Sequence, residues 1–424
     1  MFWRILYNAL IVPLGWIAFQ MMGLIDRKAR KGIRGRKKLF ERLKVDVSRI
    51  KSGSKVVWFH SSSLGEFEGA RPIIAELKKR HPAVEVVVSF FSPSGYEHCR
   101  TYKPASFITY LPFDSHSNAS RFVDQLKPTA AVMVRYDIWP NHLWRLQRAG
   151  VPTFIANATL RDNSVRRLQI VKQFHRAVYD AFDYILTVSE ADKRVFESFN
   201  LNHPVLESIG DTRYDQVWSR SLESKTRHVL PPAILANRKL LVAGSSWQED
   251  EEALLPAFFR LIKDRHEILL VLVPHEPNVE NLERIESELN GYTTSIRFSG
   301  LSDFRDEKVI IIDSIGVLMA LYQYAHVAYV GGSFRQGVHN VLEPAAYGVP
   351  IVFGPNYDNS QEAVQLVKEG AAFVGENEEV LFGQFKMLFA NESHRQAAGQ
   401  KAQTLVSKNV GATQRFLSYL EKVL

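Results

Sequence analysis

The first 25 residues carry the longest apolar stretch of the chain. Ile5 to Ile25 is interrupted only by Asn8, Pro13 and Gln20. At about 1.5 Å per residue a helix of this length matches a hydrocarbon core of about 30 Å. Trp3, Tyr7 and Trp16 suit an interfacial position. Beyond it the pattern turns polar and then settles into short apolar runs separated by helical segments. The first set is Lys55–His60, Val84–Phe90, Ala130–Val134, Thr153–Ala156 and Tyr184–Val188. The second is Leu240–Ala243, Ile268–Val273, Val309–Ile312, Val327–Val330 and Ile351–Phe353. Runs this short and this rich in Val and Ile predict buried parallel strands joined by crossover helices.

Two such sets predict an α/β protein of two doubly wound, Rossmann-like domains facing across a cleft. The expected division is an anchor helix over 1–25, a basic segment over 26–50, a first domain over 51–215, a linker over 216–237 and a second domain over 238–400. A C-terminal helix over 401–424 is expected to pack back on the first domain. The linker holds Ser219, Ser221, Ser224, Pro231 and Pro232 and no strand run. A chain of 424 residues exceeds what one hydrophobic core serves, which agrees with two domains.

Charge changes the picture at one place. Residues 26–44 hold ten Lys/Arg, among them Arg30, Arg36 and Arg42, against Asp26 and Glu41. The 43 remaining Lys/Arg are balanced by 43 Asp/Glu. A nucleic-acid enzyme spreads basic surface over its folded domain, so no nucleic-acid partner is expected. A basic block beside an apolar segment predicts an anionic membrane surface as partner, with the body on the cytoplasmic side. A signal peptide is the rival reading, opposed by the missing small-residue cleavage site and by basic residues that follow the apolar run. A buried N-terminal helix with a solvated basic face is the other. One cysteine, Cys99, cannot form an internal disulfide, and no Cys/His spacing suggests a metal.

Candidate chemistry sits at the ends of the predicted strands, where open α/β sheets bind ligands. After the first run come Ser61, Ser62, Ser63, Leu64, Gly65 and Glu66. Glu66 stands three residues after Ser63, so it is either a capping-box partner or a general base facing the cleft. After Val327–Val330 come Gly331, Gly332 and Ser333, then His339, Asn340, Val341, Leu342 and Glu343. The glycines let backbone approach a ligand. Asn340 is expected to cap a helix whose N–H groups attract phosphate, and Glu343 either to take a ribose diol or to cap. The segments Pro274-His275-Glu276 and Asp313-Ser314-Ile315-Gly316-Val317 close two more strands. Neither a Walker A nor a GxGxxG fingerprint is present.

These segments, with Ser92-Pro93-Ser94-Gly95, Trp139-Pro140-Asn141 and Ile155-Ala156-Asn157-Ala158, resemble the 3-deoxy-D-manno-octulosonic acid (Kdo) transferases along nearly the whole chain. The resemblance implies a GT-B fold, a CMP-Kdo donor, a lipid A precursor (lipid IVA) as acceptor, and inverting transfer without metal or other cofactor at the inner membrane. It places the catalytic base on Glu66 and CMP contacts on Pro274, His275, Ile315, Gly316, Val317, Asn340, Val341, Leu342 and Glu343. Further donor or acceptor contacts fall on Ser63, Gly65, Asp137, Asn157, Arg213, Ser246, Gly331, Gly332 and Ser333. The chain departs from the family at His275, where Arg is common, at Arg135, where an acid is common, at Val317 in place of Glu and at Arg213 in place of Lys. The competing readings are a GT-B transferase or epimerase using a UDP-sugar, and a non-catalytic, membrane-tethered sugar-nucleotide binder.

Overall fold

The structure, a computed structural model, describes residues 2–160, 162 and 164–424. The chain divides into two compact units. One holds residues up to Gln216 together with Val410–Leu424, and the other holds Val217–Asn409.

The first unit is built on seven parallel strands: β1 (Val56–Ser61), β2 (Glu85–Phe90), β3 (Phe107–Tyr110), β4 (Ala130–Val134), β5 (Thr153–Ala158), β6 (Tyr184–Thr187) and β7 (Val205–Ser208). Their order is β3-β2-β1-β4-β5-β6-β7. Every residue of β1 is buried, and alternate side chains serve opposite layers. Val56 and Trp58 pack with the helices Leu39–Ser48, His116–Leu126 and Pro140–Arg148. Val57 and Phe59 pack with Leu64–Arg80 and with the C-terminal helix Ala412–Leu420. Covering both faces is what parallel strands require, and it is why their sequences read as unbroken apolar runs. The chain end is pinned by Asp215, whose carboxylate accepts the N–H groups of Gly411 at 2.6 Å and Thr413 at 3.0 Å.

The second unit repeats the plan with β8 (Lys239–Ser246), β9 (Ile268–Pro274), β10 (Ser295–Arg297), β11 (Val309–Ile311), β12 (Ala325–Val330), β13 (Ile351–Phe353) and β14 (Ala372–Val374). Their order is β10-β11-β9-β8-β12-β13-β14. Each sheet therefore reverses its winding beside its first strand, between β1 and β4 and between β8 and β12. A doubly wound sheet opens a crevice at that point.

The ten apolar runs of the sequence are the ten inner strands. The four strands that the pattern does not announce, β3, β7, β10 and β14, are the four edges. They are three or four residues long and mostly half-buried, as in Val-Leu-Glu-Ser and Ser-Ile-Arg. An edge strand needs neither length nor apolar character on both faces, so its signal is weak.

The apolar N-terminus forms a helical stretch over Phe2–Ile25 that is long and apolar enough to cross a membrane. Tyr7–Ile11 is wound as a π-turn just before Pro13, which has no N–H to continue the α pattern. One face lies against the first unit. The Tyr7 hydroxyl donates to Asp114 Oδ2 at 2.8 Å, and the Asn8 and Asn141 amides exchange hydrogen bonds at 2.9 and 3.0 Å. Phe19 packs on Phe91 and Phe113. Ile5, Leu10, Ile11, Leu14, Ile17, Met21 and Leu24 are exposed.

The basic block is not uniformly exposed. Arg36 turns inward, donating to the carbonyls of Leu111 at 2.8 Å and Phe91 at 2.7 Å, with its guanidinium 4.3 Å from the Phe91 ring centre. Burial pushes its pKa down to about 10. Arg30 likewise closes on the carbonyls of Gly23 and Leu24, ending the apolar helix. Arg42 does the same with the carbonyls of Gly35 and Lys37, so three cations of the block are engaged by backbone carbonyls.

Candidate active site

In the second unit, the sequence after β12 must turn sharply past the end of β8. A Cβ on Gly331 would collide with the backbone of Ser245 and Ser246, and Gly332 has a φ of 94°. Only glycine allows both the contact and that φ at low cost. The turn is held by Asp250, fully buried in the first turn of the helix Gln248–Asp264. Its carboxylate accepts the N–H groups of Trp247 at 3.0 Å, Gly332 at 2.7 Å and Phe334 at 3.4 Å, and the Tyr329 hydroxyl at 2.9 Å. Ser333, also fully buried, accepts the N–H of Gly354 at 2.6 Å.

Beside this turn lies a cavity of about 270 Å³ whose lining includes Arg220, Ser245, Gly316, Tyr322, Asn340 and Glu343. It sits where β8 and β12 part, the crevice that the topology predicts. The Asn340 amide donates to Glu343 Oε1 at 3.1 Å and accepts the N–H of Leu342 at 3.2 Å. A second cavity, of about 450 Å³, is lined by Ser246, Trp247, Pro274, Glu276, Arg284 and Arg335, among others. A column of rings marks this region. The Arg335 guanidinium lies over Trp247, Trp247 stacks on His275 at 4.4 Å between centres, and His275 on His339 at 4.6 Å. Trp247 Nε1 donates to His339 Nε2 at 2.9 Å, which requires that nitrogen to be unprotonated. Burial first, and the neighbouring His275 second, lower the His339 pKa, in agreement with that bond.

Of the nine predicted nucleotide contacts, Gly316, Asn340 and Glu343 line the first cavity, and Pro274 lines the second. His275 stands in the ring column. Val341 and Leu342 are buried beneath the turn, while Ile315 is 89% exposed. The helices expected to draw phosphate through their N-termini are Leu318–Leu321 and Leu342–Ala346, of four and five residues, and Val341 rather than Asn340 takes the N-cap position. One turn builds little macrodipole, so local N–H groups are what these segments offer. Ser246, Gly331, Gly332 and Ser333 are all buried, and they shape the walls.

In the first unit the corresponding strand end is that of β1. Ser63 is extended and begins the helix Leu64–Arg80. Its N–H donates to Glu66 Oε2 at 2.7 Å, and its hydroxyl donates to the same oxygen. Both bonds fall on Oε2 of the half-buried Glu66, and Gly65 is exposed beside it. Behind this loop, His60 is fully buried. Its Nδ1 meets Ser89 Oγ at 2.8 Å, and its Nε2 meets Asp137 at 2.7 Å and Trp139 Nε1 at 2.9 Å. Burial raises the Asp137 pKa, but His60, Ser62 and Trp139 together hold it below the usual carboxylate value. Asn157 is fully buried, its amide 2.7 Å from Thr212 Oγ1, in a close approach to Gly69 that leaves no room for a Cβ there. Arg213 pairs with the buried Asp211 at 2.6 Å.

Residues 37–216 match the family described as 3-deoxy-D-manno-octulosonic-acid transferase (kdotransferase). A 3-deoxy-D-manno-octulosonic acid transferase of Chlamydophila psittaci is 31% identical over 324 residues, covering 74% of this chain and 73% of that protein. The chain belongs to the 3-deoxy-D-manno-octulosonic acid transferase family. A transferase of the same description from Haemophilus influenzae aligns over 100% of this chain and 99% of its own length at 25% identity. Among solved structures, a UDP-GlcNAc 2-epimerase from Neisseria meningitidis bound to UDP-GlcNAc has a TM-score of 0.60. It covers 87% of this chain and 100% of its own at 16% identity, and it shares the fold alone. This Kdo transferase family member is a glycosyltransferase of the GT-B architecture.

Two residues of this candidate site escape sequence reasoning. Arg220, in the stretch read as a linker, supplies the one cation lining the first cavity among the described residues. Asp250 carries a faint signal, its spacing of three from Trp247 at a helix start after β8. Replacing a buried carboxylate that holds four donors leaves them unpaired, so Asp250→Ala is expected to cost about 3 kcal/mol or more. Urea unfolding of the full chain checks the loss, and a melting curve matching the wild type contradicts it.

Proposed function

We propose that this transferase moves Kdo from CMP-Kdo to a lipid A precursor (lipid IVA), with inversion and without a metal, on the cytoplasmic face of the inner membrane. Membership of the family along the chain's length supports the donor and sugar. The observation that carries the chemistry is Glu66, a carboxylate at the end of β1 with Oε2 tied to Ser63 and Oε1 left to receive a proton. In this reading the capping bonds fix the carboxylate, and Glu66 takes the proton of the acceptor hydroxyl as that oxygen attacks the anomeric carbon. CMP departs from the opposite face, which inverts the centre. Glu343 and Asn340 hold the ribose, and Arg220 with the N–H groups near Gly316 meets the phosphate charge that grows as CMP leaves. His60, Asp137 and Trp139 keep the loop behind Glu66 in place, while Asn157 and Arg213 hold the start of the helix Thr212–Ser224.

The N-terminal helix gives the membrane address. Its side chains Arg4, Tyr7 and Asn8 bond to the first unit and its exposed large residues are apolar, so it lies in the interface along the body rather than leaving it to span.

Glu66→Gln preserves the hydrogen bond from the Ser63 N–H and removes the base. With CMP-Kdo and lipid A precursor in single turnover, transfer is expected to fall about 10²–10⁴-fold while CMP binding persists. Near-normal transfer by the folded variant returns Glu66 to a helix cap. Glu343→Ala is expected to weaken CMP binding about tenfold in calorimetry, the loss of a charge-assisted contact to the ribose. Unchanged affinity removes Glu343 from the pocket. Leu14→Glu combined with Met21→Glu is expected to move the protein from liposomes of anionic lipid into the soluble fraction without altering its melting temperature. Full retention on the liposomes contradicts an interfacial stripe.

A further inference from the structure

A small cavity in the first unit lies where the N-terminal helix crosses the helix Pro140–Arg148. Arg4, His116, Asn141, Trp144, Arg145 and Arg148 are among the residues that line it, and none of the described lining residues is a carboxylate. Three guanidiniums converge there. Arg4 donates to Gln147 at 2.9 Å and lies over the Trp144 ring, 5.2 Å from its centre. Arg145 is paired with Asp124 outside the cavity. Arg148 faces His116 Nε2 at 3.4 Å, a weak contact for an exposed cation. The decisive feature is Trp144. It is 4% exposed, and its indole N–H has no hydrogen-bond partner among the described residues. Buried donors are almost always satisfied, and one left open beside uncompensated cations calls for an acceptor from outside the chain.

We infer that this cavity binds a phosphate group, held by Arg4 and Arg148 and by the Trp144 indole N–H. The size decides against larger ligands. The volume is about 30 Å³, where one water needs about 10–15 Å³, so phosphate oxygens enter but a sugar or base does not. Guanidiniums match phosphate in charge and geometry. Free phosphate and the head of a phospholipid offer the same chemistry. Ile5, Leu10 and Ile11 of the same helix are exposed, so a lipid surface that takes them brings phosphate head groups within reach of Arg4. The inference does not depend on the transfer reaction, and its test uses no turnover.

Calorimetry on the full chain in neutral detergent provides that test. The probes are inorganic phosphate, dihexanoyl phosphatidic acid below its micelle concentration, and dihexanoyl glycerol, which lacks the phosphate. Saturable binding of a phosphate-bearing probe, with none of the glycerol lipid, is expected. Arg148→Gln and Trp144→Phe are each expected to weaken it about tenfold. Phosphatidic acid binding about tenfold tighter than inorganic phosphate assigns the site to lipid, and equal affinities assign it to free phosphate. Arg148 is exposed, so its variant reports even if Trp144→Phe fails to fold. The proposal is overturned if neither phosphate probe binds saturably, or if folded Arg148→Gln binds like the wild type.

Discussion

The second unit of this transferase rests on one buried carboxylate. Asp250 is satisfied by three backbone N–H groups and the Tyr329 hydroxyl, and forms no ion pair among the described residues. Burial, and after it the charge of Asp250, drive the Tyr329 pKa well above the tyrosine value, so that proton stays in place. A charge removed from water at this depth is tolerable only when fully hydrogen-bonded. The requirement runs both ways. The donors can converge only if the glycine turn presses against β8, and that contact brings Asn340 and Glu343 to the crevice. Wall shape, turn conformation and the position of the Trp247 ring column are therefore one coupled arrangement.

The first unit solves the same problem with different residues. At the end of β1, a buried histidine takes Asp137, Ser89 and Trp139 as neighbours, and farther along the sheet Asp211 and Asn157 clasp the start of the helix Thr212–Ser224. In both units the strand layer is apolar on both faces, and the polar groups gather beyond the carboxyl ends. Several residues that a motif reading assigns to ligand contact are buried members of these clasps. Their hydrogen bonds also fix the loops and helix starts around them.

The N-terminal helix turns the usual arrangement of a surface helix around. Arg4, Tyr7 and Asn8 face the protein, while Ile5, Leu10, Leu14, Ile17 and Met21 are exposed. In water this exposes a large apolar surface, a marker of an interaction site. The polar docking contacts fix the helix on the first unit, so the direction of its apolar stripe is a property of the folded body.

Much of this protein was legible in its sequence. The inner strands announced themselves because a strand buried on both faces must be apolar at consecutive positions, and two such sets named a two-unit α/β chain. The strand-end segments around Glu66 and Glu343 were legible because glycine turns and capping spacings are local. The edge strands were not, since an edge asks little of its residues. Nor was the division of the basic block, in which Arg36 and Arg30 bind backbone carbonyls while Arg34, Lys37 and Lys38 are exposed. The partners of Asp250 lie 79 to 84 positions away for three of its four donors, and Arg4 meets the Trp144 ring across 140 residues. Such pairings depend on how sheets wind and helices cross. A one-dimensional pattern records what each residue prefers, and only the tertiary structure decided which distant preferences were satisfied together.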